Sequence, residues 1–243
     1  MRNTAIFFGS KSANYEEYAK IQSEVADFAA KFAKESSVEP YGLWLDLGSG
    51  TGFAKKKFAE NFPKTDINII TADIAFSSNL SVCCDFDFLP FANNSFDGII
   101  SCSALQWSKN IENLINNAYK ILNDGGKFMC SVFENGTLGN LQKTQKKFDI
   151  LSQVSFFDKI YFENLLKKTG FTVSKSESKT FSQKFSDGYF ALKSISKIGA
   201  TNHGGKVLSP KILKDFVKEY ENTFTNGEII HNYRTLFYIL EKK

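Results

Sequence analysis

Asp46-Leu47-Gly48-Ser49-Gly50-Thr51-Gly52 decides how this chain is read. It follows the apolar run Leu43-Trp44-Leu45 and precedes a helix-like stretch at 53–61, so its glycines stand at a strand-to-helix turn. Glycines there let the backbone turn tightly and approach a ligand with no Cβ in the way. The helix starting near Gly52 aims unsatisfied N–H groups at the same place, which favours a negative group such as a carboxylate. A dinucleotide site wants G-x-G-x-x-G, and here Phe53 stands where the third glycine belongs.

Working outward, residues 67–72 read as a second strand closed by Asp73, 81–84 as a brief third and 96–101 as a fourth. Residues 111–122 have helical spacing and stop before Asp124-Gly125-Gly126; a fifth strand follows at 127–133. These apolar runs lack alternation, as strands buried on both faces should. Strands alternating with helices predict an α/β fold, with a largely parallel sheet and helices on both faces. Asp73 then ends a strand where an acidic side chain can accept hydrogen bonds from both hydroxyls of a ribose. Dinucleotide sites carry such an acid too, so Asp73 alone does not discriminate. Asp85, followed by Phe86, lies just past the third strand. The turn and the two acids converge on one crevice at the carboxyl ends of adjacent strands, where open α/β sheets bind ligands.

Upstream, an apolar stripe of Tyr18, Ile21, Val25, Phe28, Ala29 and Phe32 predicts a helical arm, punctuated by Pro40 and Gly42. Downstream, 161–169 reads as helix, 171–175 as extended chain and 185–198 and 210–224 as helices separated by Thr201-Asn202-His203-Gly204-Gly205. Residues 231–240 read as a final strand, and the irregular block before it suits a cap over the sheet's functional edge. The 243 residues fit one domain: arm 1–40, core 41–180, cap insertion 181–228 and final strand 229–243.

No apolar run approaches the roughly 20 residues needed to cross a bilayer, and the N-terminus lacks the features of a secretory signal, so a cytoplasmic chain is expected. Four cysteines in that context read as reduced thiols, and their spacing suits no metal. Of 30 basic residues all but Arg2 and Arg234 are lysines, scattered without interleaved aromatics, so no nucleic-acid partner is expected from a net charge of +4. Lys55-Lys56-Lys57 and Lys143, Lys146 and Lys147 read as solvated helix faces.

The D-x-G-x-G-x-G form of 46–52 resembles the first motif of class I S-adenosylmethionine (SAM) methyltransferases. No Asn-Pro-Pro-Tyr-like run follows the fourth strand, which lowers DNA and amino-group substrates; the chain reads Ser101-Cys102-Ser103-Ala104-Leu105-Gln106-Trp107. Further segments resemble one family, the malonyl-acyl-carrier-protein O-methyltransferases of biotin synthesis. They are Phe8-Gly9-Ser10-Lys11-Ser12-Ala13-Asn14-Tyr15, Asp85-Phe86-Asp87-Phe88-Leu89-Pro90-Phe91, Ala104-Leu105-Gln106-Trp107 and Phe133-Glu134-Asn135-Gly136-Thr137-Leu138. Leu192-Lys193-Ser194-Ile195-Ser196-Lys197-Ile198-Gly199-Ala200-Thr201-Asn202 is similar to the family's L-K-x-I-G-A-T-N cap pattern, with Ser196-Lys197 intervening. Cys102 stands where the family pattern has Asn, and Ser103 where it has a larger apolar residue.

The resemblance implies a Rossmann-like fold with a mostly parallel seven-stranded sheet, an N-terminal arm and a C-terminal cap insertion. It implies SAM as cofactor and S-adenosylhomocysteine as product. Its cofactor-binding set is Tyr15, Gln22, Asp46, Gly48, Gly50, Gly52, Asp73, Ile74, Asp85, Phe86, Ser101 and Cys102, with Asp85 and the next backbone N–H on the adenine edge. The implied reaction methylates the free carboxylate of malonyl-acyl-carrier protein, with the carrier as partner and the enzyme a monomer. Such a carboxylate is ionised at neutral pH, so no catalytic base is needed and the enzyme works by positioning. Neither His203, in a glycine-flanked loop, nor His231, opening the last strand, is required. Tyr15, Trp107, Lys193 and Arg234 are candidate substrate-pocket residues; a guanidinium fork suits a carboxylate. Another small acid or a quinone-like acceptor, or a non-catalytic SAM-fold binding subunit, stand as alternatives.

Overall fold

The apolar run that ends at Asp46 forms an inner strand, third from one edge, of a seven-stranded sheet in the computed structural model, which describes residues 19–76, 78–150, 156–197 and 209–243. In chain order the elements are α1 (Lys20–Glu35), β1 (Gly42–Leu47), α2 (Phe53–Asn61), β2 (Ile67–Asp73), β3 (Val82–Cys83), β4 (Phe96–Cys102), α3 (Ile111–Ile121), β5 (Leu122–Phe133), α4 (Gly139–Lys147), α5 (Lys159–Thr169), β6 (Phe171–Phe185), α6 (Gly188–Lys197), α7 (Pro210–Asn222) and β7 (Ile229–Lys242). Short 3₁₀ turns at Phe86–Phe88 and Leu105–Trp107 follow β3 and β4. The strand order is β3-β2-β1-β4-β5-β7-β6; the first five run parallel, and β7 is antiparallel to both β5 and β6.

Helices cover both faces of the sheet, each because its apolar stripe has a strand surface to meet. On one side α3 and α5 bury Leu114, Ile115, Phe162 and Leu166 against Leu45, Ile99, Phe128 and Tyr238. On the other, α1 and α2 bury Ile21, Val25, Phe32 and Phe58 against Trp44, Ile100, Met129 and Phe237. A smaller cluster, including Ala191, Ile195, Phe216 and Tyr220, packs beneath α6 and α7. Local signals set the helix ends. The Asn110 side chain accepts from the Asn113 N–H at the start of α3, and Asp158 does the same for Tyr161 at the start of α5. Ser209 and Pro210 open α7, and Gly170 at φ 107° ends α5.

The architecture follows the sequence reading, with three differences. Strand β6 runs ten residues past the expected stop at 175, into the region assigned to the cap, because its polar stretch 174–180 pairs with β7 along the sheet edge. Edge pairing uses backbone groups and leaves no apolar alternation to read. Strand β5 begins at Leu122, which pairs with Phe96 before a register shift; the expected turn at Asp124-Gly125-Gly126 lies inside that irregular strand. The third strand shrinks to two residues. Among the described residues no helix is long and apolar enough to cross a membrane. The segments around Phe8–Tyr15 and 198–203 lie outside the described residues, so Tyr15 and His203 are not placed.

Candidate active site

Strands β1, β2 and β4 end side by side, and the turns leaving them enclose a crevice of about 150 Å³, with α1 supplying Gln22 and Ala26 to its wall. The Gly48 N–H donates to the Ala72 carbonyl at 2.8 Å, bending the chain over the end of β2. Gly48 has φ +73°, and a Cβ built there would lie 2.4 Å from that of Ala104, so no larger residue fits. The Gly50 N–H donates to Asp73 Oδ2 at 2.8 Å, and Asp73 Oδ1 accepts from the Ala75 N–H at 2.8 Å. These bonds fix the Asp73 carboxylate while each oxygen keeps lone pairs for a ligand. Gly52, at φ +89°, caps α2 just outside the lining residues.

Asp46 sits under the turn, only 1% exposed. Its Oδ2 accepts from the Lys55 N–H at 3.1 Å in the first turn of α2, while Oδ1 is buried without a partner. Burial, reinforced by the Asp73 carboxylate, pushes its carboxyl up to about 7 despite the opposing Lys55 N–H. On the far wall Asp85 Oδ1 accepts from the Asp87 N–H at 3.0 Å, capping the turn that carries Phe86. Asp87 in turn accepts from the Ser108 hydroxyl and the Lys109 N–H, tying that wall to the loop after β4. Cys102 closes the crevice floor; burial drives its thiol up to about 12, so it supplies no thiolate.

Among the described residues the lining contains Asp46, Asp73, Asp85 and Asp87 but a single basic residue, Lys109. A diphosphate would face this group of carboxylates, whereas a cationic ligand with a hydroxyl-rich sugar suits it. Gln22 Oε1, Thr51 Oγ1 and Ser103 Oγ are also buried at this wall without partners. Such orphaned atoms in a crevice call for a polar occupant, and the amino acid and nucleoside portions of SAM fit them.

A methyltransferase-domain family model matches residues 45–130, the span from β1 into β5 that builds this crevice. Over nearly the whole chain there are curated relatives. The malonyl-[acyl-carrier protein] O-methyltransferase of Bacillus cereus is 27% identical, covering 97% of this chain and 95% of its own. That of Bacillus cytotoxicus is 29% identical over 97% of this chain and 90% of its own. The chain is a class I SAM-dependent methyltransferase. Solved structures agree on the fold. The methyltransferase matches the YcgJ protein of Bacillus subtilis with a TM-score of 0.63 at 13% identity, over 89% of this chain and 98% of that one. It also matches phosphoethanolamine N-methyltransferase 2 of Haemonchus contortus, solved with S-adenosyl-L-methionine, with a TM-score of 0.53 at 18% identity, over 89% of this chain and 52% of that one.

Of the residues expected at the site, Gln22, Asp46, Gly48, Gly50, Asp73, Ile74, Asp85, Phe86, Cys102 and Trp107 all line the crevice of this methyltransferase. Gly52 lies just outside the lining, and three more are placed elsewhere. Ser101 is fully buried, its hydroxyl donating to the Leu47 carbonyl at 2.8 Å, so it braces the turn from behind. Arg234 lies on β7 beyond the crevice wall, its guanidinium 3.1 Å from Glu134 and stacked over Gly136. Lys193 lies on α6, its ammonium 5.9 Å from the Phe190 ring, also outside the lining. Both come from the cap end of the chain, where a one-dimensional pattern gives no measure of distance to the crevice. His231 is buried on β7 among Phe185, Tyr220 and Tyr233, and burial lowers it to about 4. Lys57 pairs with Glu60 and Asp27, and Lys147 with Glu219, so these lysines join helices rather than merely solvating them.

The sequence reading missed Asp87, Ser103 and Lys109 as wall residues. Asp87 had a signal, since it repeats the acid of Asp85 two positions on. Ser103 adopts φ +54°, a left-handed bend just past β4 that its residue type does not announce.

Proposed function

We propose that this methyltransferase esterifies the free carboxylate of a malonyl group carried on an acyl carrier protein. The observation carrying this reading is the similarity to curated malonyl-[acyl-carrier protein] O-methyltransferases over 97% of the chain, arm and cap included. Bound SAM supplies an electrophilic methyl carbon on a sulfonium that leaves as a neutral thioether. The chain's task is then to hold and orient. Asp73 takes the ribose hydroxyls, Asp85 and the Phe86 N–H the adenine edge, and the 48–52 turn with the start of α2 the amino acid end. Gln22 approaches from α1, and Trp107 and Cys102 wall the reacting end and exclude water.

No residue need move a proton, because a malonyl carboxylate is ionised at neutral pH. The site chemistry is consistent with that: the Cys102 thiol stays protonated, and His231 is neutral and buried away from the crevice. Catalysis by alignment alone can contribute roughly 7–11 kcal/mol.

The test is to incubate the protein with SAM and malonyl-carrier protein and weigh the carrier. A gain of one CH₂ is expected, and an unchanged mass with SAM bound overturns the reading. Asp73→Ala should weaken SAM binding by about 10–100-fold in calorimetry, the cost of losing charge-assisted hydrogen bonds. Unchanged affinity would remove the ribose from Asp73.

A further inference from the structure

Helices α6 and α7 sit between β6 and β7, whose junction pairs Phe185 with Ile229. That junction lies beyond Phe133 and Cys102, at the carboxyl edge of the parallel strands, so both helices stand on the crevice's edge of the sheet. Between them runs a groove of about 510 Å³ lined by Tyr189, Leu213, Val217, Lys214, Lys218 and, at one end, Glu221. Four of the nine large apolar side chains exposed among the described residues belong here: Tyr189, Phe190, Ile212 and Leu213. A concentration of exposed apolar surface marks a contact face.

Charge says what kind of partner fits. Lys211, Lys214 and Lys218 follow one another by three and four positions, which sets them in one exposed stripe along α7. None of the three is in an ion pair among the described residues. Most neighbouring acids are engaged internally. Glu221 accepts from the Gly188 N–H at 2.8 Å, Asp187 from the Phe190 N–H at 2.8 Å, and Glu219 pairs with Lys147 at 2.7 Å. Asp215 alone stays outward on α7. The result is an apolar groove with a positive rim, complementary to an acidic protein that offers a few apolar side chains.

We propose that the α6–α7 groove is the docking surface for the acidic carrier protein that delivers the substrate, an inference that rests on the function proposed above. Lysines steer and register the carrier, the apolar floor holds it, and its prosthetic arm reaches the crevice along the shared edge. Electrostatic docking of this kind is sensitive to salt.

The experiment compares two substrates with the wild type and the Lys211→Glu/Lys214→Glu/Lys218→Glu variant. One is malonyl-carrier protein; the other is the malonyl thioester of N-acetylcysteamine, which has no protein and no charged arm. The variant should raise KM for the carrier at least 10-fold at low salt. It should leave the small thioester's kinetics and SAM affinity unchanged. Carrier kinetics unchanged in the variant, while the wild type methylates the carrier, overturn the groove and leave the function standing. A wild type that methylates neither substrate overturns both. Should the variant fail to fold, hydrogen exchange on the wild type decides. Unacylated carrier should protect 188–197 and 210–222 at low salt and release them at high salt, and no protection there overturns the proposal. So does a wild-type dimer that Leu213→Asp dissociates, since the occupant is then a second copy.

Discussion

A carboxyl sealed beneath the glycine turn, beside a second carboxylate, gives Asp46 a measurable signature. In the folded chain it titrates at about 7, against 3.8 unfolded. The folded state therefore holds the proton more tightly. The stabilisation is fully present below about pH 3.8 and is lost as pH rises through 7. The shift corresponds to about 4 kcal/mol. Asp46→Asn keeps the shape and removes the titration. In denaturant unfolding of the ligand-free protein between pH 5 and 8, wild-type stability should fall relative to the variant, which becomes the more stable of the two at pH 8. Parallel curves would show that Asp46 is ionised throughout. The sequence placed this residue at the site but not its chemistry, because neither depth nor the nearness of Asp73, 27 positions away, is visible in a local motif.

Among the elements, β1 and β4 are locked by a side chain that leaves room for no other. The Trp44 indole lies against Gly98, where an added Cβ would fall 2.2 Å from the ring, and its Nε1–H donates to the Tyr41 carbonyl at 2.9 Å. Gly98→Ala should lower unfolding free energy by about 1–3 kcal/mol, read as an earlier denaturant midpoint. An unchanged midpoint would mean that the two strands can separate at no cost. Strands β1, β2 and β4 were legible because burial on both faces forces unbroken apolar runs. Strand β6 was not, since residues 174–180 are polar, and only the neighbouring β7 makes them a strand. Helix α7 announced itself through Ser209 and Pro210, whereas α4 follows a left-handed Leu138 without a side-chain cap and its limits could not be read.

For the whole molecule, SAM should act as a clamp across the ends of three strands. At a concentration 100 times its Kd, binding only the folded chain contributes about 2.7 kcal/mol. For a chain of this size that should raise Tm by about 5–10 °C in a melting scan. Asp73→Ala should lose most of the rise, and a wild type with no rise would contradict cofactor binding to the native fold. The crevice could be read from sequence because each contributor ends a strand, and strand order brings those ends together. The cap could not. Lys193 and Arg234 were chosen for charge, and position relative to the crevice depends on how β6 and β7 fold back.

That fold-back also governs biosynthesis. Strand β7 lies between β5 and β6, yet it is translated after both. Until it leaves the ribosome, the nascent sheet has a gap, with two unsatisfied backbone rims facing each other across it. Those rims are open to other extended segments. Closing the gap in time thus falls to β7, so the order of synthesis leaves β5 and β6 open-edged until the strand that joins them has been made.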